Sequence, residues 1–378
     1  MDFDLTDEQR LLKDSVDRMI QDRYTFDARN KARARPGGWN PETWAAFAEQ
    51  GLLGLPFAEQ DGGFGAGPVE TALTMEAFGR ALVVEPYFSA IVLAGAVLRH
   101  GATPEQRAAL VPGIAEGTII LAFAQAERQA RWSLNDIVTK AEHTGAWHIS
   151  GTKSLVLHGD TATHYLVTAR TAGAERARHG VSLFLVEADA PGLTRRGYPT
   201  QDGLRAAEVT FANTPAQLLG PQDEALPAIE RAEDEAIAAL CSEAVGVMDT
   251  MHAMTVDYMK TRTQFGRPIG DNQALQHRAV DMYVSLEQAR SMALYATMMA
   301  GSDDADERRR AIHAAKVQIG RSGRHVGQEA IQLHGGIGVT MEYAVGHAFK
   351  RMTIIERTFG DTDSHLAALA RLGGLIAA

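Results

Sequence analysis

The sequence contains a single cysteine and no long apolar run, and these two absences exclude several classes of protein. Cys241 has no second cysteine to pair with, so an intrachain disulfide framework is excluded and a reducing compartment is favoured. No stretch approaches the ~18 consecutive apolar residues of a membrane-spanning helix. The N-terminal residues MDFDLTDEQR are acidic, unlike a targeting peptide. We therefore expect a cytoplasmic protein without a membrane partner.

An excess of basic charge is also missing. The chain has 37 Lys and Arg against 47 Asp and Glu, which gives a formal net charge of -10. Such a chain does not offer a basic surface the size of a nucleic-acid duplex, so no nucleic-acid partner is expected, although CoA could still bind a local basic patch. The 378 residues, 45% hydrophobic and 22% charged, are ordinary for a soluble globular protein of two or three subdomains.

Two local features have an ordinary and a functional interpretation. Cys241 ends the apolar run Ala238–Cys241, which favours a buried thiol over a nucleophile. The glycine-rich segment Asp61–Pro68 looks like a phosphate-binding loop, but it lacks the Lys-Ser/Thr ending and a preceding strand. We interpret it as a turn between helices.

The hydrophobic period predicts helices, then strands, then helices again. Thr6 and Gln9 form a capping box before a first helix, Asn40-Pro41 begins another that Gly51 ends, and helical patterns continue to about Pro112. From Thr118 to Leu219 the period changes to two, and we predict an antiparallel sheet with strands at Ile119–Phe123, Trp147–Leu157, His164–Thr168, Val181–Val186 and Glu208–Phe211. Long helices are predicted after Pro221, over Ala225–Thr261, Asn272–Ala300 and Asp304–Leu333.

Two glycine-marked signatures lie in the helical C-terminal third. The first is Arg-Thr-Gln-Phe-Gly at 262–266, and the second is Gln-Leu-His-Gly-Gly-Ile-Gly at 332–338. A dinucleotide-binding Rossmann motif is excluded at the second because it follows a helical pattern and not a strand. For His334 inside it, we favour a packing role over acid-base chemistry. Either signature alone would indicate only a helix end. The occurrence of both at this spacing favours a functional role over a pair of helix ends.

Together, the two signatures and the helix–strand–helix order resemble the acyl-CoA dehydrogenase family. The resemblance implies an α+β, mainly α fold, with an N-terminal helical domain at 1–115, a middle antiparallel β domain at 116–222 and a C-terminal four-helix bundle at 223–378. It also implies FAD, an acyl-CoA substrate and electron-transfer flavoprotein as acceptor. The family's reaction needs a carboxylate that removes a proton next to the thioester while hydride passes to the flavin.

The resemblance assigns the cofactor contacts to both signatures. Arg262 and Phe265 match residues that reach the pyrophosphate and adenine end of an FAD held mainly by a neighbouring subunit, and a guanidinium suits paired bonds to phosphate. Glycines let a diphosphate lie close to the backbone of the second turn. The cofactor-binding candidates are Arg262, Gln264, Phe265, Gln273, Gln332, Gly335 and Gly336.

Other family positions have lost their polar residues. The flavin-contacting threonine and serine of the motif T-E-P-G-A-G-S-D match Ala126 and Trp132. The tryptophan and threonine of G-x-K-x-W-I-T match Leu155 and Leu157. These replacements would leave a buried isoalloxazine without hydrogen-bond partners.

The catalytic carboxylate is missing as well. The usual glutamate position falls on Phe359, and the alternative position used by some members falls on Ala236. Glu243 lies seven residues beyond Ala236, nearly on the same helical face but about 10 Å along the axis. Glu243 is therefore a candidate base, with a structural ion pair or a helix-end contact as the alternative.

Within the family, these departures resemble the small subunit of heteromeric acyl-CoA dehydrogenases, such as the pimeloyl-CoA and steroid side-chain enzymes. The run Ala238–Gly246 is especially similar to the pimeloyl-CoA type. We interpret the chain as a half-site subunit that supplies the ADP end of an FAD site to a large acyl-CoA dehydrogenase subunit. The alternatives are a homomeric dehydrogenase that uses Glu243 and a non-catalytic structural subunit that binds no FAD.

Overall fold

The computed structural model describes residues 4–373, and the chain divides into two compact units, each assembled from separate segments. The helical unit comprises Met1–Lys31, Pro68–Val83 and Ile237–Ala378, of which residues 4–373 are described. The sheet unit comprises Ala32–Gly67 and Val84–Ala236.

The N-terminal helices begin where the capping residues predict. The Gln9 backbone N–H donates to Thr6 Oγ1 at 3.2 Å, and the Thr6 backbone N–H donates to Gln9 Oε1 at 3.0 Å, so the predicted capping box is confirmed. Asn40 caps the third helix, with Pro41 at its first position. The helices are α1 (Asp7–Arg23), α2 (Phe26–Ala34), α3 (Pro41–Glu49), α4 (Pro68–Ala81), α5 (Ala94–Gly101) and α6 (Pro104–Ala115), with a π-helical segment at Phe88–Leu93 before α5.

After the sheet, the chain forms three long helices, as predicted, and then two shorter ones. They are α7 (Leu226–Thr261), α8 (Gln273–Ala300), α9 (Ala305–His334), α10 (Ala344–Arg357) and α11 (Thr362–Arg371). Within the helical unit, α4 and α7 cross closely, because Gly79 lies against the backbone oxygen of Glu243 and Gly246 lies against that of Glu76. A Cβ at either glycine would overlap the opposing oxygen.

The sheet unit has seven strands in the order β1-β4-β2-β3-β7-β5, with β6 paired to β7. A further β4–β5 pairing closes the path into a ring around buried Tyr165, Phe184 and Phe211. The strands are β1 (Leu121–Ala124), β2 (Lys140–His143), β3 (Trp147–Leu157), β4 (His164–Arg170), β5 (Val181–Glu187), β6 (Leu193–Pro199) and β7 (Arg205–Leu219). The sheet is mainly antiparallel, as predicted, but β1 and β2 both pair with β4 in parallel.

Across residues 4–373, no helix has both the length and the apolar character that a bilayer span requires. The same described part of the chain contains no group of three or more His, Cys, Asp or Glu arranged to hold a metal ion.

Candidate cofactor site

The first glycine signature forms a two-stranded hairpin directly after α7. Its strands are β8 (Thr263–Gln264) and β9 (Arg267–Pro268). Phe265 and Gly266 form the turn with φ values of +53° and +81°, and two positive φ values are the mark of a type I′ hairpin. The Phe265 side chain is 100% exposed at this tip. A left-handed conformation costs a non-glycine residue roughly 1–2 kcal/mol, so the tip holds a large aromatic group outward at some cost.

The second signature forms the end of α9 and the turn that follows. Gln332 is exposed on the last helical turn, and the chain leaves the helix at Gly335, with φ +64° and ψ −138°. This backbone conformation is open essentially to glycine alone. A Cβ placed on Gly335 or Gly336 would meet no atom within 4 Å, so the backbone of the turn faces open space. A diphosphate can approach such a backbone closely.

The structure brings the two signatures together at one end of the helical unit. The ring of His334, next to Gly335, stacks on the ring of Tyr258 with centroids 4.6 Å apart and an interplanar angle of 29°. The Arg262 backbone N–H donates to the Tyr258 carbonyl at 2.8 Å, so Tyr258 lies one turn before the hairpin. The end of α7 and the end of α9 are therefore in direct contact.

Gln273 and Gln264 complete the set of seven cofactor-binding candidates, all of which are exposed. Gln273 is the first residue of α8, and Gln264 lies in the hairpin, where its amide donates to the Thr263 carbonyl at 2.8 Å. An Arg278–Glu329 ion pair at 2.5 Å ties the first turns of α8 to α9. The seven residues belong to three neighbouring segments of one unit.

In the sheet unit, the positions that match the family's flavin-facing residues carry apolar or bulky side chains. Leu155 is 55% exposed with φ +52°, and Trp132 is 43% exposed. The Ser154 backbone N–H donates to the Ala126 carbonyl at 2.8 Å, which joins β3 to the segment after β1. Ala126, Leu155 and Leu157 carry no side-chain donor or acceptor.

A buried ion pair that the sequence analysis missed fixes this part of the sheet unit. Lys153 Nζ lies 2.7 Å from Glu127 Oε1, and both side chains are buried. Glu127 also accepts backbone bonds from Val138 and Thr139, at 2.9 and 3.2 Å. Burial alone would raise the pKa of Glu127, but Lys153 and these bonds lower it to about 2, and burial lowers the pKa of Lys153 to about 8. Both residues lie in the quoted motifs, but nothing in those motifs shows that they pair.

The candidate base Glu243 forms a buried bidentate ion pair. Arg351 Nε donates to Glu243 Oε1 at 2.5 Å, and Arg351 Nη2 donates to Glu243 Oε2 at 2.7 Å. The side chains are 7% and 9% exposed. Engagement of both carboxylate oxygens by one guanidinium agrees with the ion-pair alternative for Glu243.

The other two family positions for the base carry no carboxylate. Ala236 is fully buried on α7. Phe359 has φ +60° in the connection between α10 and α11, where Lys316 Nζ donates to the carbonyls of Glu356, Thr358 and Gly360 at 2.9–3.0 Å. The backbone around Phe359 is therefore held in place without an acid.

The side chains of Cys241 and His334 are both buried, as expected for packing roles. Cys241 is fully buried, and burial raises the pKa of its thiol to about 12, which agrees with the buried thiol favoured from the sequence. His334 is 3% exposed, and its Nδ1 donates to the Ala330 carbonyl at 2.7 Å. Burial lowers the pKa of His334, which favours the neutral ring that packs on Tyr258.

Three family models together cover most of the chain. They describe the N-terminal domain (residues 6–118), the middle domain (residues 122–214) and the C-terminal domain (residues 229–373) of acyl-CoA dehydrogenases. The acyl-CoA dehydrogenase FadE12 of Mycobacterium tuberculosis is 32% identical over 328 residues, which span 83% of this chain and 82% of FadE12. The chain belongs to the acyl-CoA dehydrogenase family. The predicted family, fold class and FAD-dependent oxidoreductase class are thereby confirmed at the level of the family.

Two similar solved structures are each named for a pair of proteins. A variant of the Tcur3481–Tcur3483 steroid ACAD is 30% identical, with a TM-score of 0.86 and 97% of each chain covered. The ChsE4–ChsE5 complex from Mycobacterium tuberculosis is 25% identical, with a TM-score of 0.86 and 100% of each chain covered.

The residues of this chain fit one end of the family's cofactor, FAD. The exposed Arg262, the outward Phe265 ring and the open backbone at Gly335-Gly336 suit a diphosphate and a purine. The apolar side chains of Ala126, Leu155 and Leu157 do not suit the polar isoalloxazine edge. The fit is therefore good for the ADP portion and poor for the flavin ring.

Proposed function

We propose that this chain is the half-site small subunit of a heteromeric acyl-CoA dehydrogenase. It supplies contacts to the ADP end of an FAD, and a large partner subunit supplies the isoalloxazine contacts and the catalytic carboxylate. The observation that carries the proposal is the split between the two ends of the cofactor site. The hairpin and the glycine turn lie together and open to solvent, whereas the flavin-facing positions are apolar and Phe359 replaces the base.

The assembly, the substrate and the location follow from this assignment. The similarity to the Tcur3481–Tcur3483 and ChsE4–ChsE5 proteins supports a hetero-oligomer. The substrate is an acyl-CoA thioester, and electron-transfer flavoprotein is the expected acceptor. We place the complex in the cytoplasm.

The side chains of this subunit hold the cofactor and do not carry out the reaction. The Arg262 guanidinium would make charge-assisted bonds to the diphosphate, and the Phe265 ring would contact the purine. The Gln332 amide and the Gly335-Gly336 backbone would also hold the diphosphate. When bound, FAD supplies the hydride acceptor.

Two alternative functions are less well supported, each because of a specific structural observation. A homomeric enzyme would need Glu243 as the base, but both of its oxygens are engaged by Arg351. A structural subunit without FAD would have no use for a Phe265 held fully exposed at φ +53°.

The first prediction concerns flavin content. Purified alone, the chain should bind FAD poorly, because it lacks the isoalloxazine contacts. Co-expressed with its large subunit, it should give a yellow complex that contains fewer flavins than chains. Absorbance of the released flavin against protein concentration measures the ratio. One flavin per chain in the isolated protein would contradict the half-site assignment.

The second prediction tests the motif assignments in the assembled complex. Arg262→Ala and Gln332→Ala should each weaken FAD retention by roughly 1–3 kcal/mol, because each removes a contact to the cofactor. Arg321→Ala is the matched control, since Arg321 is an exposed residue on α9 about three turns before Gln332. FAD retention is measured by dialysis and flavin absorbance. Unchanged retention in both test variants would mean that the motifs are misassigned.

A further inference from the structure

His334 lies between two tyrosine rings at the junction of the two cofactor signatures. Its ring stacks on Tyr258 at 4.6 Å, and the Tyr343 ring lies 5.1 Å away at an angle of 52°. The bond from Nδ1 to the Ala330 carbonyl fixes the orientation of the imidazole. A 3% exposed aromatic group held by three neighbours is a rigid contact.

Each of the three aromatic residues belongs to a different segment of the site. Tyr258 is on the last turn of α7, and its carbonyl accepts the backbone N–H of Arg262. His334 ends α9, two residues after Gln332 and directly before Gly335. Tyr343 directly precedes α10, five residues after Gly338. The three rings therefore connect the base of the hairpin to the start of the glycine turn and to the segment that follows it.

The groups that would touch the cofactor have little support of their own. The Phe265 side chain is fully exposed, and a Cβ at Gly266, Gly335 or Gly336 would meet no atom within 4 Å. The relative placement of the hairpin and the turn must therefore be set at their bases. At these bases, the ring of Tyr258 stacks on the ring of His334.

We propose that His334 is a positioning residue that sets the hairpin and the glycine turn at the spacing needed to hold one diphosphate between them. The proposal rests on the proposed function, because it concerns the same FAD site. His334 acts through Arg262 and Gln332 and touches no reacting atom.

The test measures FAD binding by the assembled complex by titrating FAD into the deflavinated complex. His334→Ala removes the stack and should weaken FAD binding about tenfold, the upper range for an aromatic pair. His334→Phe keeps a ring of similar size between the tyrosines and should restore binding to within about threefold of wild type. ADP should lose affinity in parallel with FAD, because the site grips the ADP end.

A half-buried histidine, His252, provides the control. His252 packs on Tyr283 at 5.5 Å, and its Nε2 bonds to the Ala279 carbonyl at 3.1 Å, between α7 and α8. His252→Ala removes the same kind of contact away from the signatures. It should lower the melting temperature while FAD binding stays within about threefold of wild type.

The outcomes separate this inference from the proposed function. Wild-type FAD affinity in His334→Ala, together with a loss in Arg262→Ala, overturns the positioning role and leaves the half-site assignment standing. Equal losses in His334→Ala and His252→Ala also overturn it, because the effect would then be general destabilisation. If His334→Ala does not assemble, Tyr258→Leu removes the same stack from the other side and is judged by the same comparison.

Discussion

At the scale of single residues, the pairing of Glu243 with Arg351 determines what a substitution at Glu243 does. Glu243→Gln removes the negative charge that both bonds from the buried Arg351 guanidinium reach, which should destabilise the helical unit by about 3 kcal/mol. Flavin reduction by an acyl-CoA in the assembled complex should stay within about tenfold, since a positioned base contributes ~10²–10⁴. Thermal melting and stopped-flow absorbance provide the two measurements.

The double variant Glu243→Met with Arg351→Met is the control for this third prediction. It removes both charges and should recover much of the lost stability, because an apolar pair needs no counter-charge. A hundredfold loss of flavin reduction in Glu243→Gln with an intact complex would instead make Glu243 the base.

The fourth prediction concerns acid and the buried Glu127–Lys153 pair. The pKa of Glu127 is lowered to about 2, so the stability that its ionised form contributes is complete above its unfolded value of 4.5 and is lost as pH falls towards 2. Between pH 5 and 3.5 this loss should amount to about 1 kcal/mol. Melting temperatures at the two pH values measure it.

The charge-free variant Glu127→Gln with Lys153→Met is the comparison for this acid effect. It removes the titrating carboxyl together with its counter-charge, so its melting temperature should fall less between pH 5 and 3.5 than that of wild type. An equal fall in melting temperature in the variant and the wild type would show that the pKa of Glu127 is the same in the folded and unfolded chain.

Residue-scale features were predictable from sequence only where they are local. Thr6 and Gln9 are three positions apart, so their capping box can be read directly from the chain. Arg351 is 108 positions from Glu243, and Lys153 is 26 positions from Glu127. Such pairs depend on how distant segments pack, which charge patterning along the chain does not reveal.

At the scale of helices and strands, the crossing of α4 over α7 depends on two glycines. The fifth prediction is that Gly246→Ala destabilises the helical unit by about 1–3 kcal/mol, because its Cβ would overlap the Glu76 carbonyl and push the helices apart. Gly301→Ala, after α8, is the control, since its Cβ would meet its nearest atom at 3.9 Å. Thermal melting compares the two, and an equal effect in both would show that the crossing tolerates a methyl group.

The sequence predicted regular elements better than irregular ones. The strand at Trp147–Leu157 and the long C-terminal helices have strong periods, and their observed bounds agree to within about two residues. Strand β6 was missed because most of its residues are exposed and it shows no buried alternation. The hairpin after α7 was missed because Phe-Gly is not among the pairs, such as Asn-Gly, that usually mark a type I′ turn.

At the scale of the whole molecule, the helix–strand–helix order indicated the family but did not reveal the compact units. The N-terminal helices divide between the two units, since α1 and all of α4 belong to the helical unit with the C-terminal helices, whereas α3 belongs to the sheet unit. Contacts between residues more than 150 positions apart decide this division, and a local period carries no information about them.

The division of the helical unit into distant segments has a consequence for synthesis. Helix α4 leaves the ribosome more than 150 residues before Gly246, the residue of α7 against which it packs. Synthesis proceeds at about 5–20 residues per second, so α7 is completed on the order of ten seconds or more after α4. The α4 residues Met75 and Phe78, which are buried in the folded chain, are not fully packed before then. During that interval the face of α4 that packs on α7 lacks that helix, and we expect the nascent chain to bind chaperones that recognise exposed apolar side chains.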